Sequence, residues 1–213
     1  MQSMRNKPMT NTDLETLHSL HGRKKWEHIW AYYKLPIVIA LIVVYSFGYA
    51  AYRHLTKKEE VLYLGLVNVS IGSDLTEQLT TGFAENQQLT KKQQVDLLSG
   101  LLLTESENAD EQYVYASEMK LLGAVSAQRL DVVLMDGSAR NKLLADDYFL
   151  DLRTLDTSFG GLDGLNDTGT ILDISDTPLI EQAGFSGKVY LGVVQNAPHP
   201  ERAAAYIRYL FQR

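Results

Sequence analysis

Residues 61–69 read VLYLGLVNV. Apolar side chains fill both alternating sets of positions, so neither side of the segment can be turned to water, and nine residues is the length of a strand. A strand buried on both sides belongs in the middle of a sheet covered by helices. The following sequence agrees. Asp74 and Glu77 have the spacing of a capping box, and Leu75, Leu79 and Phe83 recur every four residues behind them, which predicts a helix. Residues 95–103 form a second strand-like run, and Asn108 is placed to cap a helix that turns Val114, Leu121 and Val125 inward. Asp131 to Met135 (DVVLM) is a third strand, followed by a turn at Asp136-Gly137-Ser138 and a shorter helix with Leu143 and Leu144.

Beyond that point glycine breaks the pattern. Residues 156–170 contain Gly160, Gly161, Gly164 and Gly169 and read as a loop. Residues 170–174 allow a short strand, and residues 189–195 (VYLGVVQ) a clearer buried one. Pro200 then opens a helix with Ala203, Ile207, Leu210 and Phe211 on one face. Alternation of strands with helices predicts an α/β fold for residues 61–213: a single lobe with a mostly parallel sheet flanked by helices.

Upstream the sequence changes character. Residues 35–52, LPIVIALIVVYSFGYAAY, contain no formal charge. As a helix rising about 1.5 Å per residue they extend about 27 Å, close to the roughly 30 Å of a bilayer's hydrocarbon core. Lys34 borders one end and Arg53 with His54 the other, while Trp26, Trp30, Tyr32, Tyr33, Tyr49 and Tyr52 supply aromatic rings at headgroup level. One transmembrane helix is therefore expected before the lobe. A buried core helix is disfavoured because such helices are rarely uncharged all round. A cleaved signal is the competing reading, with Gly48-Tyr49-Ala50 as a small-residue site, but about thirty residues precede the apolar run. The expected organisation is a cytoplasmic juxtamembrane segment at 1–34, a transmembrane helix at 35–53, a linker at 54–60 and an extracytoplasmic α/β domain at 61–213. The cytoplasmic N-terminus rests on Arg23, Lys24, Lys25 and Lys34 before the span against Arg53, Lys57 and Lys58 after it, with Arg5 and Lys7 adding to the lead. Leu14, Leu17 and Leu20 form a narrow stripe within 13–30 that suits either a membrane-surface helix or disorder.

Charge divides along the same line. The 213 residues carry 20 Lys and Arg against 26 Asp and Glu, a net of -6. Residues 1–56 hold seven basic and three acidic side chains (+4), and residues 57–213 hold thirteen and twenty-three (-10). An acidic outer domain argues against a nucleic-acid partner. With no cysteine in the chain, disulfides, thiol catalysis and cysteine-zinc sites are excluded.

No catalytic constellation emerges, and neither an enzyme nor a cofactor is expected. P-loop, G-x-G-x-x-G and G-x-S-x-G patterns are missing from the sequence. His18 and His21 lack further ligands to complete a metal site, and His199 stands between prolines. The stretch 163–169 (DGLNDTG) does not alternate its oxygen ligands as a calcium loop would, and reads as turns. What remains is position. Ligands of open α/β sheets sit beyond the carboxyl ends of the strands. The candidates there are Asn68, Ser70 and Ser73, then Asp136 and Ser138, and finally Asn196 beside Gln195. Ordinary capping and turn chemistry would use the same residue types.

Three stretches carry a family likeness: Asp131 to Met135, residues 148–152 (YFLDL) and residues 196–210 (NAPHPERAAAYIRYL). Together they resemble the extracellular solute-binding proteins of the type 2 periplasmic-binding fold. The resemblance implies an exported α/β lobe of a bacterial, Gram-positive type of surface protein. Family members close two lobes on a ligand, and this domain has about one lobe's worth of sequence. The expected function is therefore a single-pass, membrane-anchored, non-catalytic protein that binds a small ligand or a membrane protein partner. The alternative is a structural or accessory subunit of a membrane complex.

Overall fold

A computed structural model describes residues 23–56, 58–103 and 110–212; side chains of the first helix are described at 35, 36 and 38–53. The chain divides into two compact units, residues 1–57 and 58–213. The first contains helix α1 (Arg23–Thr56), with Pro36 inside it. From Val38 to Phe47 its large apolar side chains are all exposed, Val44 at 68% and Phe47 at 74%. Among the described residues no helix is long and apolar enough to cross a membrane, so the span expected at 35–53 stands as a proposal. The stripe at Leu14, Leu17 and Leu20, the histidines at 18 and 21, and Asn108 lie outside the described residues.

The second unit holds one five-stranded sheet. Its strands are β1 (Glu59–Val67), β2 (Gln93–Leu101), β3 (Val132–Met135), β4 (Ile171–Asp173) and β5 (Tyr190–Val193), in the order β2-β1-β3-β5-β4. Strand β1 pairs parallel with both β2 and β3, whereas β5 pairs antiparallel with β3 and with β4. The mostly parallel sheet expected from the sequence is thus corrected to a mixed one. Four strands share a direction and β5 alone runs against them.

The expected burial of β1 on both sides is found. Leu62, Leu64 and Leu66 face one core with Phe83, Tyr206, Ile207 and Leu210, and Val67 faces the other with Val133, Met135, Leu121 and Leu143. Helices cover both cores. On one side lie α2 (Ser73–Glu77), a π-helical turn (Gln78–Gly82), α3 (Phe83–Asn86), α6 (Pro178–Ala183) and α7 (Pro200–Phe211). On the other are α4 (Glu111–Ser126) and α5 (Gly137–Ala145). Asp110, rather than Asn108, caps α4 through the N–H groups of Gln112 and Tyr113. The capping box at Asp74 does not form: Gly72 precedes α2, and Asp74 lies inside the first turn. Gly192 is required by a close approach. A Cβ there would lie 2.6 Å from a ring carbon of Phe149.

The π-helical turn also has a visible cause. Its widened hydrogen bonding leaves carbonyls to be satisfied from outside. Tyr209 donates its hydroxyl to the Gln78 carbonyl at 2.8 Å and buried Tyr206 donates to that of Leu79 at 3.2 Å. Both hydroxyls belong to α7, whose apolar face also meets Phe83 edge-on, with ring centroids of Phe83 and Tyr206 4.9 Å apart.

Candidate functional site

Strand order reverses at β1, because the connection from β1 leads to β2 on one side and the connection from β2 crosses to β3 on the other. The crevice beyond the carboxyl ends of β1 and β3 is the usual ligand position in such a sheet. Asn68 closes β1 there with φ 57, a left-handed conformation that Asn tolerates better than most residues. This turn throws its side chain across the crevice. Its Nδ2 donates to Asp136 Oδ1 at 3.0 Å, and its Oδ1 accepts from the Leu103 N–H at 2.7 Å. Asp136 in turn caps α5, accepting from the Ala139 N–H at 2.8 Å. The structure thus brings Asn68 and Asp136 together. Their bonds tie the segments that follow β1, β2 and β3 into one rim, which is a supporting role.

The chain leaving Asn68 forms the open part of the site. Ser70, on the segment between β1 and α2, and Ser73, the first residue of α2, are both exposed. A cleft of about 630 Å³ runs from Ser70, Ser73 and Gln78 to Leu179, Gln182 and Phe185 around α6. On the other side of the same segment a second cleft, of about 530 Å³, is bounded by Asn68, Ser70, Ile71, Thr76, Leu97 and Tyr113. Ser70 and Ile71 belong to both. Ser138 lies exposed in the first turn of α5 and lines neither cleft.

Asn196 is placed differently. A parallel β5 would put it beside the others, but β5 is reversed: Val193 pairs with Val132 at the start of β3. Gln195 and Asn196 therefore emerge at the opposite end of the sheet. There Asn196 donates to the Val125 carbonyl at 2.9 Å and Gln195 donates to the Asp147 carbonyl at 2.8 Å.

At that same end the sequence reading missed a polar centre. Asp131 is fully buried and accepts three hydrogen bonds, from the Tyr63 N–H at 2.8 Å, the His199 N–H at 2.7 Å and His199 Nδ1 at 3.0 Å. His199 is thus not alone among its prolines. Burial of Asp131 satisfies the demand that a carboxylate removed from water be saturated by donors. The ring of Tyr63 lies 5.7 Å from that of His199. Burial first, then the Glu60 carboxylate, raises the Tyr63 phenol above its ordinary pKa. The available signal was the one charge heading an otherwise apolar strand, DVVLM. Among the described residues no hydroxyl is bonded to the His199 ring.

Electrostatics elsewhere are local. Asp173 at the end of β4 is raised by burial but drawn below its ordinary value overall by Lys188 at 2.6 Å and by Ser175. Among the described residues no group of three or more His, Asp or Glu is placed to hold a metal. Every buried side-chain nitrogen and oxygen among them has a hydrogen-bond partner. Asn166, in the glycine-rich loop, accepts from the Thr170 and Ile171 N–H groups and braces a turn. No family model, curated protein or solved structure matches this chain.

Proposed function

We propose that the protein is a membrane-anchored, extracytoplasmic α/β lobe that binds a small polar ligand or a partner's polar segment between Ser70–Gln78 and α6, without catalysis of its own. The observation that carries this reading is the pair of clefts meeting at Ser70 and Ile71, beyond the carboxyl end of β1. Their volumes fall within the roughly 300–1,000 Å³ of small-molecule sites. The larger cleft is lined by uncharged Ser70, Ser73, Gln78 and Gln182 with the single carboxylate of Asp74, beside Leu179 and Phe185. That mixture suits a neutral ligand with hydroxyl or amide groups and one apolar surface. The reading as a lobe of the solute-binding type belongs to the same proposal, supported by a single sheet covered on both faces. The anchor is supported by the uncharged run at 35–52 and by the exposed apolar side chains of α1.

Thermal denaturation of the full chain against a panel of sugars, amino acids and short peptides provides the test. A ligand that raises Tm should lose its effect when Ser70→Trp and Ser73→Trp fill the cleft, and should keep it when Asn196→Ala alters the other end of the sheet. A shift that survives the two tryptophans, or a panel without any shift, would remove the cleft as the site.

A further inference from the structure

Helix α4 is apolar on two sides. Its inner side buries Val114, Ser117 and Leu121 against the sheet. The outer side exposes Tyr115 at 63%, Met119 at 44% and Leu122 at 45%. With exposed Gln112 and Ser126 these residues fall at spacings of three, four, three and four, the a and d positions of two heptads. Exposed Ala116 and Gly123 flank the stripe on one side and leave room for a second backbone. At 100° per residue the whole outward sector, about 120° wide, contains no formal charge. Glu111 and Glu118 border it on one edge and Lys120 lies beyond the other, and Glu118 is already paired with Lys142.

We propose that this face of α4 joins two copies of the chain as a parallel, in-register helix pair. Spacing of this kind is complementary to itself, because a and d side chains of one helix fill the holes between the same positions of another. Orientation follows from the acidic edge. In a parallel pair Glu111 and Glu118 face the Ala116 and Gly123 edge of the partner; in an antiparallel pair centred on Met119 the two Glu118 carboxylates would come together, each offset only by its own Lys142. A membrane surface fits the face poorly, since residues 57–213 carry thirteen basic and twenty-three acidic groups and anionic headgroups would repel them. The exposed parts of Tyr115, Met119 and Leu122 amount to about 300 Å² per copy, or about 600 Å² across a pair, well under the roughly 1,200 Å² of a stable complex, so the contact is weak and reversible. The dimer is thus a dynamic one, held by apolar surface against the repulsion of two acidic bodies.

A chain without cysteine permits a direct test. Single-cysteine variants Gln112→Cys, Met119→Cys and Ser126→Cys of the full chain are oxidised with copper-phenanthroline, with Glu181→Cys on exposed α6 as the control. All three stripe positions should form same-residue dimers at several times the control yield, because facing a positions approach disulfide range. Adding Leu122→Glu to Met119→Cys should return the yield to the control level. Raising ionic strength from about 0.01 to about 1 M shortens the screening length from about 30 to about 3 Å, and the yield should rise. Yields equal to Glu181→Cys would overturn the interface. Dimers from Met119→Cys alone, with Gln112→Cys joining Ser126→Cys in mixtures, would overturn the parallel arrangement.

Discussion

Asp131 shows how one buried charge organises a strand end. It holds β1 through the Tyr63 N–H and the start of α7 through the His199 N–H, and the imidazole adds a third bond. Its loss would leave two part-buried backbone donors without their acceptor. Such groups cost about 1–3 kcal/mol each when unsatisfied. Asp131→Ala should therefore lower the unfolding free energy of the full chain by about 3 kcal/mol in urea titrations. His199→Ala keeps the backbone donor and removes only the ring, and should cost about 1 kcal/mol. Equal losses from the two variants would mean that the imidazole, and not the main chain, is the principal partner. The sequence announced half of this. An aspartate heading an apolar strand had to find donors, but His199 lies 68 positions away and nothing in its neighbourhood marks it as the partner. Asn68 and Asp136 were legible for the opposite reason: strand ends are visible in sequence, and both lie one residue past an apolar run.

Elements were legible where burial decides them and obscure where direction does. The inward sets on β1, α4 and α7 follow from spacing alone, and Leu75, Leu79 and Phe83 are buried as their four-residue repeat required. Periodicity carries no sign, however, and β5 reads the same in either direction. Its reversal follows from the connection: α6 has six residues and ends at Gly184 with φ 66, so the chain turns back beside β4 instead of crossing the sheet. The π-helical turn was likewise hidden, since its cause sits in α7. A second tie to α7 is testable by pH. Asp156, before the 3₁₀ turn Thr157–Gly161, is held at about 2, first by the Arg208 hydrogen bond and then by Ser158. Arg208 Nη2 lies 2.6 Å from its carboxylate. A carboxyl with a depressed folded value stabilises above its ordinary value of 3.8, and that contribution fades as pH falls through about 2. Carboxyl-carbon NMR should place the Asp156 midpoint at about 2 and move it toward 3.8 in Arg208→Met. An unchanged midpoint would assign the shift to Ser158 and the turn instead.

For the whole molecule the decisive contrast is between an uncharged run of eighteen residues and an acidic body beginning a few residues later. The chain divides between residues 57 and 58, but α1 runs to Thr56 and β1 begins at Glu59, so most of the linker expected at 54–60 lies within those two elements. If α1 anchors the chain, its exposed apolar surface is covered by lipid, and one carboxylate near the middle of the run should oppose insertion by about 3 kcal/mol. Val43 lies at that middle. The unaltered chain should stay with membranes through an alkaline carbonate wash and require detergent for release. Val43→Asp combined with Ile39→Asp should shift a large fraction into the wash. In the orientation proposed from the basic flank before the run, protease added to intact cells should remove a tag at the C-terminus and spare one at the N-terminus. Release of the unaltered chain by carbonate alone would overturn the anchor. Loss of the N-terminal tag with survival of the C-terminal one would reverse the orientation and place the clefts of the lobe in the cytoplasm.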